Sequence, residues 1–207
     1  MSPERLASLL RDAAPEPDFE IELQPQPIGA TAAVVAFAGH IVIGADVPLE
    51  WVSSYCPPGD LIGPIQPRFL AALAERCACT DFSTTVTFAL LGLGNDPEGL
   101  LVPTAERTSA RVQRSMRVRT EVRVYETVDH AGLLVIGRGL AGRWEAGFEV
   151  RSGAQGKGLG RRMAAAARGL VPASEPLFMQ AVPGNIPSLR ALIGAGFKPV
   201  ASEVLMW

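Results

Sequence analysis

At 207 residues, with 48% apolar and 19% charged side chains, the chain can bury a full core as one large domain or two small ones. A net charge of −2 gives no global attraction to nucleic acid or to an anionic membrane, and neither is expected as a partner. No apolar run reaches the ~20 residues that cross a bilayer, and the opening Met1-Ser-Pro-Glu-Arg5 lacks a secretory pattern, so a cytoplasmic protein is expected.

Ser2-Pro3 starts a short amphipathic helix reaching Arg11, with Leu6, Leu9 and Leu10 on one face. The proline-rich segment from Pro15 to Pro27 reads as extended chain. Thr31 to Ala45 reads as two strands around Gly39-His40, in which Val34, Val35, Ile41, Val42 and Ile43 supply β-branched bulk. Pro48 to Tyr55 holds one or two helical turns. A loop from Pro57 to Pro67 then leads into a helix from Arg68 to Glu75, on which Phe69, Leu70 and Leu73 recur at helical spacing. Thr84 to Leu93 is a strand, ended by the loop Gly94 to Gly99.

Thr104 is placed to cap a helix to Ser115, whose Arg107, Arg111 and Arg114 share a face best read as solvated. From Val118 to Glu126, Val118, Val122 and Val124 alternate with Arg119, Glu121, Arg123 and Tyr125, the pattern of a half-buried strand. Asp129-His130 marks a hairpin turn before a strand from Gly132 to Gly139. Another turn near Gly142 precedes a strand from Arg143 to Val150.

Cys56, Cys77 and Cys79 are an odd count without disulfide-scaffold density, so reduced, partly buried thiols are expected. Cys77-Ala-Cys79 lacks the gap of common zinc sites, and with only His40 and His130 in the chain no metal site is expected.

The stretch Val150-Arg-Ser-Gly-Ala-Gln155-Gly-Lys-Gly158-Leu-Gly160-Arg-Arg162, followed by an alanine-rich helical run, suits a pyrophosphate held on backbone N–H groups. A helix N-terminus carries unsatisfied donors and a positive dipole end, and glycine lets an anion approach without a Cβ in the way. Two phosphate-binding readings fail on spacing. The dinucleotide fingerprint needs glycine where this chain has Arg161 or Met163, and a triphosphate loop needs Ser or Thr after Lys157, where Gly158 stands.

What fits is Gln155-x-x-Gly158-x-Gly160, preceded by the strand Arg143-Trp-Glu145-Ala-Gly-Phe148-Glu-Val150. It is followed by Asn185-Ile-Pro-Ser188-Leu-Arg-Ala-Leu192-Ile-Gly-Ala-Gly196-Phe197. In that order, these elements resemble the GNAT superfamily of acyl-CoA-dependent N-acyltransferases, from the strand near Arg117 to the end of the chain. The structural roles stay open beside the functional ones. Asn185 suits an N-cap, Gly196 a left-handed helix stop, and the glycines an ordinary tight turn.

The resemblance implies an α/β (α+β) GNAT fold: a mixed, mostly antiparallel twisted sheet flanked by helices, with an N-terminal α/β extension. Residues 104–207 would form the acyl-CoA-binding core. Residues 1–103 would form an N-terminal region, with a degenerate GNAT-like half-domain as one reading and a strand that the C-terminus lacks as its contribution. The activity implied is transfer of an acetyl or other acyl group from acetyl-CoA, the cosubstrate, to a primary amine of a small molecule or protein. A catalytically weak acyl-CoA-binding or regulatory module is the alternative. The oligomeric state is open, a homodimer included.

By the same resemblance, Glu145 is the candidate general base, with Glu149 in reserve on the same strand face; pairing of Glu145 with an arginine such as Arg119 is the competing reading. Phe148 and Val150 would pair with the pantetheine arm. The N–H groups of Gln155, Gly156, Lys157, Gly158, Leu159, Gly160 and Arg161 would take the pyrophosphate, and Asn185 and Ser188 would join the cofactor site. Lys157, Arg161 or Arg162 could add charge. Leu192 departs from the pattern, because many family members carry there a tyrosine that acts as general acid. Ser188, Tyr125 or water are the substitutes.

Overall fold

The computed structural model of the protein describes residues 17–95 and 99–207. The helix expected before Arg11 and residues 96–98 of the expected loop lie outside them. The described chain begins with strands β1 (Glu20–Gln24), β2 (Ala32–Phe37) and β3 (His40–Gly44) and helices α1 (Leu49–Tyr55) and α2 (Pro67–Arg76). Strands β4 (Phe82–Leu91) and β5 (Leu101–Pro103) and helix α3 (Ala110–Val118) follow. Next come β6 (Thr120–Thr127), β7 (Gly132–Arg138), β8 (Trp144–Val150), α4 (Leu159–Ala167), β9 (Pro176–Ala181), α5 (Ile186–Gly194) and β10 (Lys198–Met206). The fold is mixed α/β with mostly antiparallel pairing, as expected.

Two compact units divide the chain: one runs to Thr87 and includes Val200–Trp207, and the other is Phe88–Pro199. The boundary expected at 103/104 is therefore displaced. The chain changes units inside β4 and again inside β10, and the residues just before 104 form β5, which pairs with β6 through Leu101↔Thr127 and Pro103↔Tyr125.

In the first unit the strand order is β1-β3-β2-β10-β4. The segment expected only as extended chain forms β1, which pairs in parallel with β3 from Glu20↔His40 to Gln24↔Gly44. β2 pairs antiparallel with β3 on one side and with β10 on the other, the latter from Ser202↔Ala36 to Met206↔Ala32. Val34, Ile41, Ile43, Phe69, Leu73 and Met206 build the core against the helices. Cys56 is buried there and burial pushes its thiol up to about 11, an inert thiol.

In the second unit the order is β4-β9-β8-β7-β6-β5, so the strand next to β9 comes from the N-terminal part of the chain. β5 to β8 form an antiparallel series, and β9 joins β8 in parallel. Helix α3 covers one face through Val112 against Val124 and Val135. Helix α4 covers the other, where Met163 lies so close to Gly132 that a Cβ there would be 2.5 Å from its sulfur.

Two expected boundaries near α3 move. Thr104 does not cap the helix: its hydroxyl accepts from Glu106 N–H, at 3.4 Å. Ser109 is the cap and accepts from Val112 N–H at 3.2 Å, so the helix begins at Ala110 and runs through Val118, which was expected to open the next strand. The carboxylate of Glu106 accepts from the N–H groups of Thr108 and Ser109, which keeps residues 104–109 out of the helix.

Candidate active site

The glycine loop lies between β8 and α4. Gly156 and Gly158 have φ of +75° and +77°, a left-handed conformation that glycine adopts without a Cβ penalty. A Cβ built on either would meet nothing within 4 Å, so the loop's outer surface is open. The first bond of α4 runs from Arg162 N–H to Gly158 O at 3.2 Å. The N–H groups of Leu159, Gly160 and Arg161 thus have no carbonyl of their own helix to bond. Gly160 has a different role, because a Cβ there would stand 2.9 Å from Phe148 Cε2. It lets α4 approach β8.

The three cations beside this loop diverge. Lys157 Nζ donates to Gly153 O at 3.1 Å, folding back on the loop. The stem of Arg161 lies near Gly194, where a Cβ would be 3.3 Å from its Cδ. The pKa of Asp129, at the β6–β7 turn, is lowered chiefly by the Thr127 hydroxyl and the Ala131 N–H, and Arg162 adds a little from nearby.

Next to the loop the sheet opens. β8 pairs with β9 only over Trp144↔Leu177, Glu145↔Phe178 and Ala146↔Met179, whereas its pairing with β7 continues to Val150↔Gly132. Gly147 to Val150 therefore lack a β9 partner. Arg151 N–H donates toward β7, to Ala131 O at 2.9 Å. Because backbone groups alternate sides along a strand, those of Phe148 and Val150 point the other way, into the gap. The Gln155 amide donates to Val150 O at 3.0 Å. An amide-bearing chain entering here would find strand-like partners on Phe148 and Val150 and, at the gap's mouth, the free N–H groups of α4.

Glu145 does not sit in this gap. It is 3% exposed, and both its oxygens are engaged. Arg119 Nε donates to Oε2 at 3.0 Å, Arg143 Nε to Oε1 at 2.8 Å and Leu140 N–H to Oε1 at 3.2 Å. A Cβ on Gly139 would come within 2.3 Å of its Cδ. Burial alone would raise its pKa, but the guanidinium groups of Arg143 and Arg119 outweigh it and hold the carboxyl at about 2. A carboxylate so weakly basic and so enclosed is a poor proton acceptor, which corrects the expectation of Glu145 as general base in favour of arginine pairing. Sequence reading missed Arg143, which shares a strand face with Glu145 two residues on.

Glu149 lies on the same face as Glu145, is exposed, and has Arg111 Nε at 3.5 Å from Oε2. Arg111 stays exposed, as its place in a solvated stripe predicts, while its guanidinium reaches Gly147 and Glu149 on β8. At the start of α5 the Asn185 side chain accepts from Ser188 N–H at 3.2 Å, so Asn185 is the helix cap. Gly196 ends the same helix with φ of +91°. Leu192 is 1% exposed and belongs to the core. Tyr125 sits across Leu134 from Phe148, on the α4 face of the sheet.

No protein-family model matches the chain, and no curated protein matches it. Among solved structures, a protein from Novosphingobium aromaticivorans assigned to the GNAT acetyltransferases is 15% identical, with a TM-score of 0.42 over 62% of this chain and 65% of that one. A GCN5-related N-acetyltransferase from Kribbella flavida is 15% identical, with a TM-score of 0.40 over 66% and 62%. Mycobacterium smegmatis RimJ in complex with CoA-disulfide is 16% identical, with a TM-score of 0.34 over 60% and 86%. The match spans slightly less than two thirds of the first two of these structures.

Proposed function

We propose that the protein is an acyl-CoA-dependent N-acyltransferase that moves an acetyl or related acyl group to a primary amine. The observation that carries this reading is the gap between β8 and β9 beyond Ala146↔Met179, leading to the glycine loop and the N–H groups of Leu159, Gly160 and Arg161, which no carbonyl of their own helix takes. A thioester cosubstrate with a pantetheine arm and a pyrophosphate supplies the amides and the anion that this gap and this helix end can bond. In the reaction the amine nitrogen bonds to the acyl carbon, the carbon–sulfur bond breaks, and the amine's proton leaves as the thiolate gains one.

Among this chain's residues Glu149 is the proposed base. It stands four residues after Glu145 on the exposed end of β8, past the point where β9 diverges. Thiolate protonation falls to water, since Leu192 is buried and carries no acidic proton to donate. A weakly active acyl-CoA-binding module is the second reading, favoured by Leu192 and by the closed arginine cage around Glu145.

Thermal unfolding with ligands tests cofactor choice. Acetyl-CoA at about 100 times its Kd should stabilise the fold by about 2.7 kcal/mol, while NAD and ATP should not. Gly158→Asp should abolish the shift, because it sets bulk and negative charge at the helix end. Equal shifts with all three ligands would refute the reading, and release of free CoA with an amine panel separates the enzyme from the binding module.

A further inference from the structure

Gly147 is the first residue of β8 past the last pair with β9, and Arg111 occupies the space beside it. A Cβ built on Gly147 would stand 3.1 Å from Arg111 Nη1. The guanidinium therefore takes the room a side chain would fill, at the point where the strands part. Its one ion pair among the described residues is loose, with Nε and Glu149 Oε2 3.5 Å apart, beyond ordinary hydrogen-bond length. Partial burial against β8 does most to disfavour its charge, Glu149 offsets part of that, and Arg119 and Arg114 disfavour it further. Glu145 is already shared by Arg119 and Arg143. With Glu145 committed to those two guanidinium groups, an anion brought to Arg111 would add to its loose pairing with Glu149.

We propose, resting on the acyltransferase reading, that Arg111 holds a carboxylate of the substrates beside the thioester. Glu149 next to it is the matching partner for an ammonium group. An α-amino acid carries both charges a few ångströms apart, which favours the acceptor as the carboxylate's source; a carboxylated acyl chain offers the same group.

The test offers acetyl-CoA with a panel of free amino acids and their matching carboxamides, and compares succinyl-CoA with acetyl-CoA on one carboxylate-free amine. Wild type, Arg111→Gln and Arg111→Lys are assayed, and the rise in melting temperature with acetyl-CoA is recorded for each. Free acids should exceed their amides in kcat/KM by at least about tenfold, as charge-assisted pairing implies, and the ratio should fall to about one in Arg111→Gln. Arg111→Lys keeps the charge without the planar fork and should retain part of the ratio, so it serves also if Arg111→Gln does not fold. A preference for succinyl-CoA that disappears in the variants would assign the carboxylate to the acyl chain and support the same site. Equal rates in every arm of the wild type, or a preference that survives in both variants, overturn the proposal. No melting shift with acetyl-CoA removes the acyltransferase reading itself, and the proposal with it.

Discussion

Glu145 takes three hydrogen bonds from Arg119, Arg143 and the Leu140 N–H, and its value to the protein lies in the ionised state. Glu145→Gln should cost about 3–5 kcal/mol, the usual effect of leaving a buried charge without its partner, as read by denaturant unfolding. Its folded pKa, about 2, lies below the ordinary carboxylate value, so its contribution is full at neutral pH. That contribution is lost as pH falls from the unfolded value toward 2, and Glu145→Gln should flatten this part of the acid-unfolding curve. An unchanged acid limb in the variant would contradict the assignment. Leu192 carries a second expectation. With 1% exposure it has no room for a phenol, so Leu192→Tyr should destabilise by about 1–3 kcal/mol through overpacking and should not raise kcat. Leu192 was legible in the sequence as an exception to the family pattern and Glu145 as a match to it, yet only packing tells which way they matter.

The glycine loop and α4 were readable from sequence because their signals are local: φ-positive glycines, then an apolar stripe ending in Met163 and Ala167. The start of α3 was not. Thr104 and Ser109 are both of a capping type, and the contest was decided by Glu106 bonding the N–H groups of Thr108 and Ser109 before the helix begins. Ser109→Ala should therefore cost about 1 kcal/mol in global stability, whereas Thr104→Ala should stay within about 0.5 kcal/mol. Gly160→Ala probes the other helix. Its methyl would meet Phe148 Cε2 at 2.9 Å, displacing the ring that lies beside the gap in the sheet. Weaker acetyl-CoA binding together with a stability loss of about 1–3 kcal/mol is expected from calorimetry and unfolding. Loss of stability alone would place Phe148 away from the ligand.

At the scale of the whole chain, sequence order and unit membership part company in β4 and β10. A reading along the sequence sets boundaries where composition changes, and nothing local in Phe82–Leu91 or Lys198–Met206 marks a change of unit partway along a strand. The first unit depends on the chain's last residues for its completeness. Val204 and Met206 are buried in its core, and β2 has β10 as its antiparallel partner from Ala32 to Ala36. Truncation after Pro199 removes both side chains, about 1.5–3 kcal/mol of burial each, together with the strand that covers β2. It also exposes an apolar edge, Ala32, Ala33, Val34 and Val35, which are buried in the intact unit. Against a total stability of about 5–15 kcal/mol, a loss of this size leaves the first unit largely unfolded. The expected result is fast amide exchange throughout β2 and β3 in the truncated chain and slow exchange there in the full one. Retained protection of Val34 and Val42 after truncation would mean that β10 is an accessory strand and that the first unit's core closes without it.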